Sequence, residues 1–141
     1  MLTLNHLVTS GTFSLDGGTW DVDNNVWVLG DDAECVVIDA PHDAAAIAAA
    51  VGSRRLTAIL CTHAHDDHID AAAALAGATG APIWLHPADR ELWDQTYPGR
   101  APDRDLADGQ TIAVPALRGA LWSWFGLPRP VPNQRGVPER G

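Results

Sequence analysis

Apolar and polar positions along the chain change their rhythm twice. Through the first forty residues they favour short extended segments. Leu2–Thr9 and Thr12–Leu15 read as strands, and Val26–Leu29 and Cys35–Ile38, richer in β-branched and aromatic residues, as two more. Gly30-Asp31-Asp32 supplies hairpin chemistry between the last two, and Asp39-Ala40-Pro41 closes the second of them. From Asp43 the pattern turns helical. Asp43–Val51 is Ala-rich, and Gly52 stands where a helix C-cap belongs. Leu56–Cys61 is a short apolar run that reads as a buried strand. Ile69–Ala78 is a second Ala-rich helix ended by Gly80, Pro82–Leu85 a strand, and Pro87–Gln95 a helix with Pro at its first position. Residues 96–110 read as a polar loop and Thr111–Val114 as a last strand. Strands alternating with helices predict an α/β domain in which helices pack on a sheet.

The second change comes at Pro115. The segment 115–141 holds five of the ten Pro, with Trp122, Trp124 and Phe125 close together, and sustains neither a period of 2 nor one of 3.6. Charge shifts at the same place. Residues 1–115 are net −12 and residues 116–141 net +3, within a chain of 141 residues and net charge −9. This divides the chain into a domain over 1–115 and a Pro/Trp-rich tail over 116–141, either poorly ordered or translated out of frame.

The length suits one domain, and 46% apolar residues suffice for a core. All 9 basic residues are Arg. The absence of Lys excludes lysine Schiff-base chemistry and the Gly-Lys-Ser/Thr phosphate loop. An acidic balance argues against a nucleic-acid partner, since phosphate binding needs a basic surface. No stretch approaches the length of a membrane span, and no charged region typical of a secretory signal precedes Arg54. A cytoplasmic protein with a small-molecule substrate is expected. Cys35 and Cys61 sit inside apolar runs and read as small buried residues.

The chemistry concentrates in Thr62-His63-Ala64-His65-Asp66-Asp67-His68, directly after the strand at 56–61. His63 and His65, two apart at a strand end, can direct their rings to one side. Asp67 and His68 follow as a helix begins. Neutral imidazole and carboxylate suit Zn and its first-row neighbours, and the carboxyl end of a strand is where open α/β sheets place their sites. His6 and His42 read as structural, and His86 as a strand-end residue at the edge of the site. Asp39 is either a turn residue or a hydrogen-bond partner of the histidine loop.

His63-x-His65-x-Asp67-His68 resembles the signature of the metallo-β-lactamase fold, nearest to glyoxalase II-like hydrolases. Asn24-Asn25-Val26-Trp27-Val28-Leu29, Val36-Val37-Ile38-Asp39-Ala40, Leu60-Cys61-Thr62-His63 and Leu106-Ala107-Asp108-Gly109-Gln110 follow in the family's order. The resemblance covers roughly residues 5–114. It implies the N-terminal part of an αββα sandwich, an α/β (α+β) fold with a mixed sheet and flanking helices. It further implies two Zn ions, with Fe or Mn as alternatives. His63 and His65 would hold one ion, and Asp67 and His68 the other. A bridging hydroxide would attack an acyl, thioester or lactone carbon, and Asp67, oriented on it, is the candidate catalytic residue. Asp66 would be a solvent-facing spacer, and Asp70 stands where the family often has Gly.

The family's later ligands have no counterpart here: His86 alone follows His68, and no Asp follows Asp108. Each metal would be at least one ligand short. Turnover by this chain is therefore expected near background, and its metal weakly held. An uncovered sheet face would promote association of copies through the exposed sheet. Two other readings stay open: a non-catalytic metal-binding fragment or partner module, and an iron-dependent enzyme of the persulfide-dioxygenase type.

Overall fold

A computed structural model describes residues 2–107. The expected strand at Thr111–Val114, the segment Asp108–Gln110 and the tail over 116–141 lie outside the described residues.

Six strands form one mixed sheet in sequence order: β1 (Thr3–Leu15), β2 (Gly18–Gly30), β3 (Glu34–Ile38), β4 (Arg55–Leu60), β5 (Ile83–Leu85) and β6 (Arg104–Asp105). The β1–β2 and β2–β3 pairs are antiparallel, and β3 through β6 pair in parallel. Parallel pairing requires crossovers. These carry α1 (Ala44–Val51), α2 (Asp66–Ile69), α3 (Ala72–Thr79), a 3-10 turn over Pro87–Asp89, and α4 (Arg90–Thr96).

The core follows from strand alternation. Val26 and Val28, Cys35 and Val37, Ile59 and Cys61, Ile83 and Leu85 point to one face. There they meet Ile47 and Val51 of α1, Ile69 of α2, Leu75 of α3 and Trp93 of α4. Both cysteines are buried free thiols, as their apolar surroundings predict. Asp43 caps α1 by accepting from Ala46 N–H at 3.0 Å, a contact worth about 1 kcal/mol.

Four expectations change. The strands at 2–9 and 12–15 are one strand, β1, paired through Gly11 with a β2 that begins at Gly18 instead of Val26. The turn is Asp16-Gly17, both at positive φ (50° and 80°), the signature of a two-residue hairpin. That dipeptide was the readable signal. Residues 18–25 are mostly exposed, so no buried face marks them in the sequence. The helix expected over Ile69–Ala78 is two helices, because residues 68–71 bond elsewhere: Ala40 N–H donates to the His68 carbonyl and Ala71 N–H to the Ala40 carbonyl. The helix expected at Pro87 begins as a 3-10 turn, with His86 Nδ1 accepting from Ala88 N–H. The loop over 96–110 contains β6, anchored by Asp103, which exchanges hydrogen bonds with Ile83, and by the buried Leu106.

Among the described residues, the large apolar side chains that stay exposed lie on the sheet edge, not on its central strands. Val36, Ile38, Ala58 and Leu60, which alternate with the helix-facing residues of β3 and β4, are buried as well. Exposure falls on the β1–β2 ribbon at the sheet edge, at Leu2, Leu4, Val8, Leu15 and Trp20.

Candidate metal centre

The end of β4 is held open as a loop by neighbours on both sides. Cys61 N–H donates to the Trp84 carbonyl on β5. Thr62 donates from its backbone N–H to Asp39 Oδ1 at 2.8 Å, and its hydroxyl reaches Asp39 Oδ2 at 2.8 Å. Ala64, buried, donates N–H to Asp89 Oδ2 at 3.2 Å. Pinned at 62 and 64, the loop presents His63 and His65 before α2 starts.

Three of the predicted donors converge through their rings. The His63 and His65 centroids are 5.0 Å apart, and those of His63 and His68 4.2 Å. His68 Nε2 lies 3.6 Å from Asp67 Oδ2, which brings the fourth donor alongside. His63 and Asp67 are buried. Among the described residues, no three His, Cys, Asp or Glu donors are placed to close on a single ion.

Hydrogen bonds behind the rings set the protons. Asp39 Oδ2 accepts from His68 Nδ1 at 2.9 Å. A carboxylate only accepts, so Nδ1 carries a proton, and in the neutral ring the lone pair is on Nε2. Thr62 Oγ1 lies 3.0 Å from His63 Nδ1 while donating to Asp39, which gives His63 the same tautomer. This is the arrangement that second-sphere carboxylates impose on metal-binding imidazoles.

Burial resists charge on both members of the Asp39–His68 pair. At Asp39 the His68 charge and hydrogen bond outweigh burial and hold the carboxyl below its ordinary value. At His68 the charge and hydrogen bond of Asp39, with Asp67 and Asp70, outweigh burial and raise the imidazole. Asp39 itself sits at φ 65°, a strained value for a non-glycine residue.

Asp67 Oδ1 is buried and has no hydrogen-bond partner, whereas Oδ2 is reached by Asn24 Nδ2 at 3.2 Å. A solitary buried carboxylate oxygen, on a side chain whose other oxygen lies 3.6 Å from His68 Nε2, is costly unless a cation meets it. The donor set, imidazole nitrogen with carboxylate oxygen, fits Zn or a neighbouring first-row ion.

The remaining expectations divide. His6 is exposed, stacked on Trp27 at 4.3 Å and bonded to Asn25, a surface role as expected. His42 is structural, with its ring tied to Asp70 and Asn24. His86 caps the turn after β5. Asp39 joins its two readings, sitting at a turn and bonding the loop. Asp66 is not a solvent-facing spacer: its half-buried carboxylate accepts from Ser14 N–H at 3.2 and 3.3 Å, because the β1–β2 hairpin tip folds onto α2. Beside it, Phe13 sits edge-on to His65 at 5.4 Å and stacks on Trp20 at 5.9 Å. Asn24 and Asp89 were not singled out as site residues. The Asn24-Asn25 pair opening an apolar run was the available signal for the first; none marked the second.

The metallo-beta-lactamase superfamily model matches residues 19–140. A hydroxyacylglutathione hydrolase of Jannaschia sp. (strain CCS1) is 44% identical over 110 residues, covering 74% of this chain and 40% of that protein. A hydroxyacylglutathione hydrolase of Pseudomonas aeruginosa (strain LESB58) is 38% identical over 113 residues, covering 75% and 38%. The chain thus spans about two fifths of the length of these curated relatives. Among solved structures, BLEG-1 B3 metallo-beta-lactamase superposes with a TM-score of 0.55 at 25% identity, over 77% of this chain and 56% of that one. TTHA1623 in a di-iron-bound form gives 0.55 at 28% identity, over 62% and 51%.

Proposed function

The chain belongs to the metallo-β-lactamase superfamily, and we propose that it carries the histidine-loop part of a glyoxalase II-like hydrolase acting on the thioester of a hydroxyacyl-thiol. The observation that carries this reading is the unpartnered, buried Oδ1 of Asp67, next to His68, whose ring in turn packs against those of the His63–His65 loop. His63 and His65 would hold one ion, and Asp67 and His68 a second. Zn is the metal the donors favour; iron is the alternative, supported by the di-iron form of TTHA1623, with Mn after it. Bound metal would supply Lewis acidity toward the substrate carbonyl and an activated water.

The chain's own residues do the rest. Asp39 and Thr62 hold His68 and His63 in the tautomers that aim Nε2 outward from their supports. Asp67, whose carboxylate Asn24 steadies through Oδ2, would be the candidate to accept a hydrogen bond from the attacking water. Phe13, stacked on the exposed Trp20, stands beside His65 and gives that ring an apolar neighbour. With two donors per ion, nothing in residues 2–107 fixes the water against the carbonyl. A slack of ~1 Å costs on the order of 100-fold in rate, so the chain alone turns over near background. Its acidic surface suits a small molecule rather than nucleic acid. Two free buried thiols suit a reducing cytoplasm.

Activity is tested in a chimera that joins this chain's residues 1–107 to the C-terminal part of the Jannaschia relative. Hydrolysis of a hydroxyacylglutathione thioester that is lost on His63→Ala supports the reading. A folded chimera that binds metal and leaves the thioester intact contradicts it.

A further inference from the structure

Asn24 lies on β2, 43 residues from Asp67 in sequence, yet its amide nitrogen meets Asp67 twice: the backbone carbonyl at 3.0 Å and Oδ2 at 3.2 Å. The same nitrogen lies 2.9 Å from His42 Nε2. On the far side of that ring, His42 Nδ1 lies 3.0 Å from Asp70 Oδ2, and Asp70 Oδ1 accepts from the His42 backbone N–H.

These contacts permit one consistent proton arrangement. Asp70 can only accept, so His42 Nδ1 carries the proton and Nε2 is left an acceptor. Nε2 then requires a donor, which the Asn24 amide nitrogen is. Turning the Asn24 amide over would set its oxygen against Nε2, the Asp67 carbonyl and Asp67 Oδ2, three acceptors at once. Two amide hydrogens thus serve three acceptors, the two on Asp67 sharing one.

The supporting pair is itself tightly held. The His42 side chain is 2% exposed, and its backbone sits at φ 66°, a conformation few non-glycine residues adopt. Gly11 on β1 gives it room, since a Cβ there would fall 2.2 Å from His42 Nδ1. Asp67, by contrast, stands in a helix of four residues, too short to fix a side chain by itself.

We propose that Asn24, held by the His42–Asp70 pair, is a positioning residue for Asp67: it engages Oδ2 and the backbone carbonyl and leaves Oδ1 for the metal. The inference rests on the reading of Asp67 as a metal ligand. Without the Asn24 donor, both carboxylate oxygens lose their orientation, and a ligand so loosened typically costs about 10–100-fold in metal affinity.

The test uses the full chain and zinc alone. In the metal-free protein, 15N–1H correlation of the imidazoles should show His42 as the Nδ1–H tautomer; an Nε2–H tautomer overturns the arrangement. Zinc affinity, measured by competition with a chromogenic chelator, should fall about 10–100-fold in Asn24→Ala. Asn25→Ala, at an exposed neighbour, should leave it unchanged. His42→Asn, which tolerates the backbone angle, should weaken zinc alone but add nothing in the Asn24→Ala background, since both act through one hydrogen bond. Asn24→Leu, uncharged, close in shape and lacking the donor, carries the same test if Asn24→Ala fails to fold. Equal zinc affinity in wild type and the folded Asn24 variant overturns the positioning role and leaves the metal reading standing. Zinc bound by neither overturns the metal reading and the role with it.

Discussion

Asp39 and His68 meet at 2.9 Å across 29 residues of chain, Oδ2 to Nδ1, joining the end of β3 to the start of α2. The contact does two things. It sets the His68 tautomer, and with the Thr62 hydrogen bonds it shapes the loop between them. Asp39→Asn keeps the shape and removes the charge. Its expected effect is zinc affinity lower by about 10–100-fold and a stability loss of about 1–3 kcal/mol. Chelator competition and urea unfolding of the metal-free protein check both; an unchanged zinc affinity contradicts the assigned role.

The hairpin tip is docked by Asp66, a side chain that the family resemblance implies is a spacer. Asp66 is the acceptor for Ser14 N–H, so Asp66→Ala should free that amide. Hydrogen exchange at Ser14 is expected to accelerate at least several-fold, while Val26 and Val28, in the core, keep their protection. No change at Ser14 would show that the Phe13–His65 contact alone holds the tip.

Gly11→Ala probes close approach. The added methyl would fall on the His42 ring, and overpacking of this kind costs about 1–3 kcal/mol. Thermal unfolding at lower temperature, with a shifted His42 ring resonance, is expected. Wild-type stability in Gly11→Ala would mean that the ring moves aside freely.

Cys61 should be inert in the native protein. Burial and the nearby Asp39 charge push its thiol well above the ordinary range, and burial raises Cys35 as well. Only thiolate reacts readily. Iodoacetamide at pH 8 should leave both unmodified over an hour and label both in denaturant; native labelling at the rate of a free cysteine contradicts the placement.

The legible parts of this molecule are those whose causes are local. A histidine loop after an apolar strand is readable because its donors are neighbours in sequence, and α1 is readable from an Asp cap and a Gly stop. The contacts that orient the donors are not local. Asn24 reaches Asp67 over 43 residues, and Asp89 reaches Ala64 over 25; neither leaves a periodic trace. The break between α2 and α3 is likewise tertiary, made by Ala40 competing for the backbone of residues 68–71. The long ribbon was obscured for the opposite reason. Its outer half buries too little to impose alternation, and Asp16-Gly17 was its one strong mark.

Metal retention tests most directly the proposal that His63, His65, Asp67 and His68 bind an ion. Purified protein, reconstituted with excess zinc and passed through a desalting column, should retain zinc by elemental analysis, weakly enough to be stripped by a chelator. His63→Ala/His65→Ala should lose the ion at the first pair while its secondary structure by circular dichroism stays that of wild type. A folded wild-type protein that retains no zinc, iron or manganese after the same treatment would contradict the account.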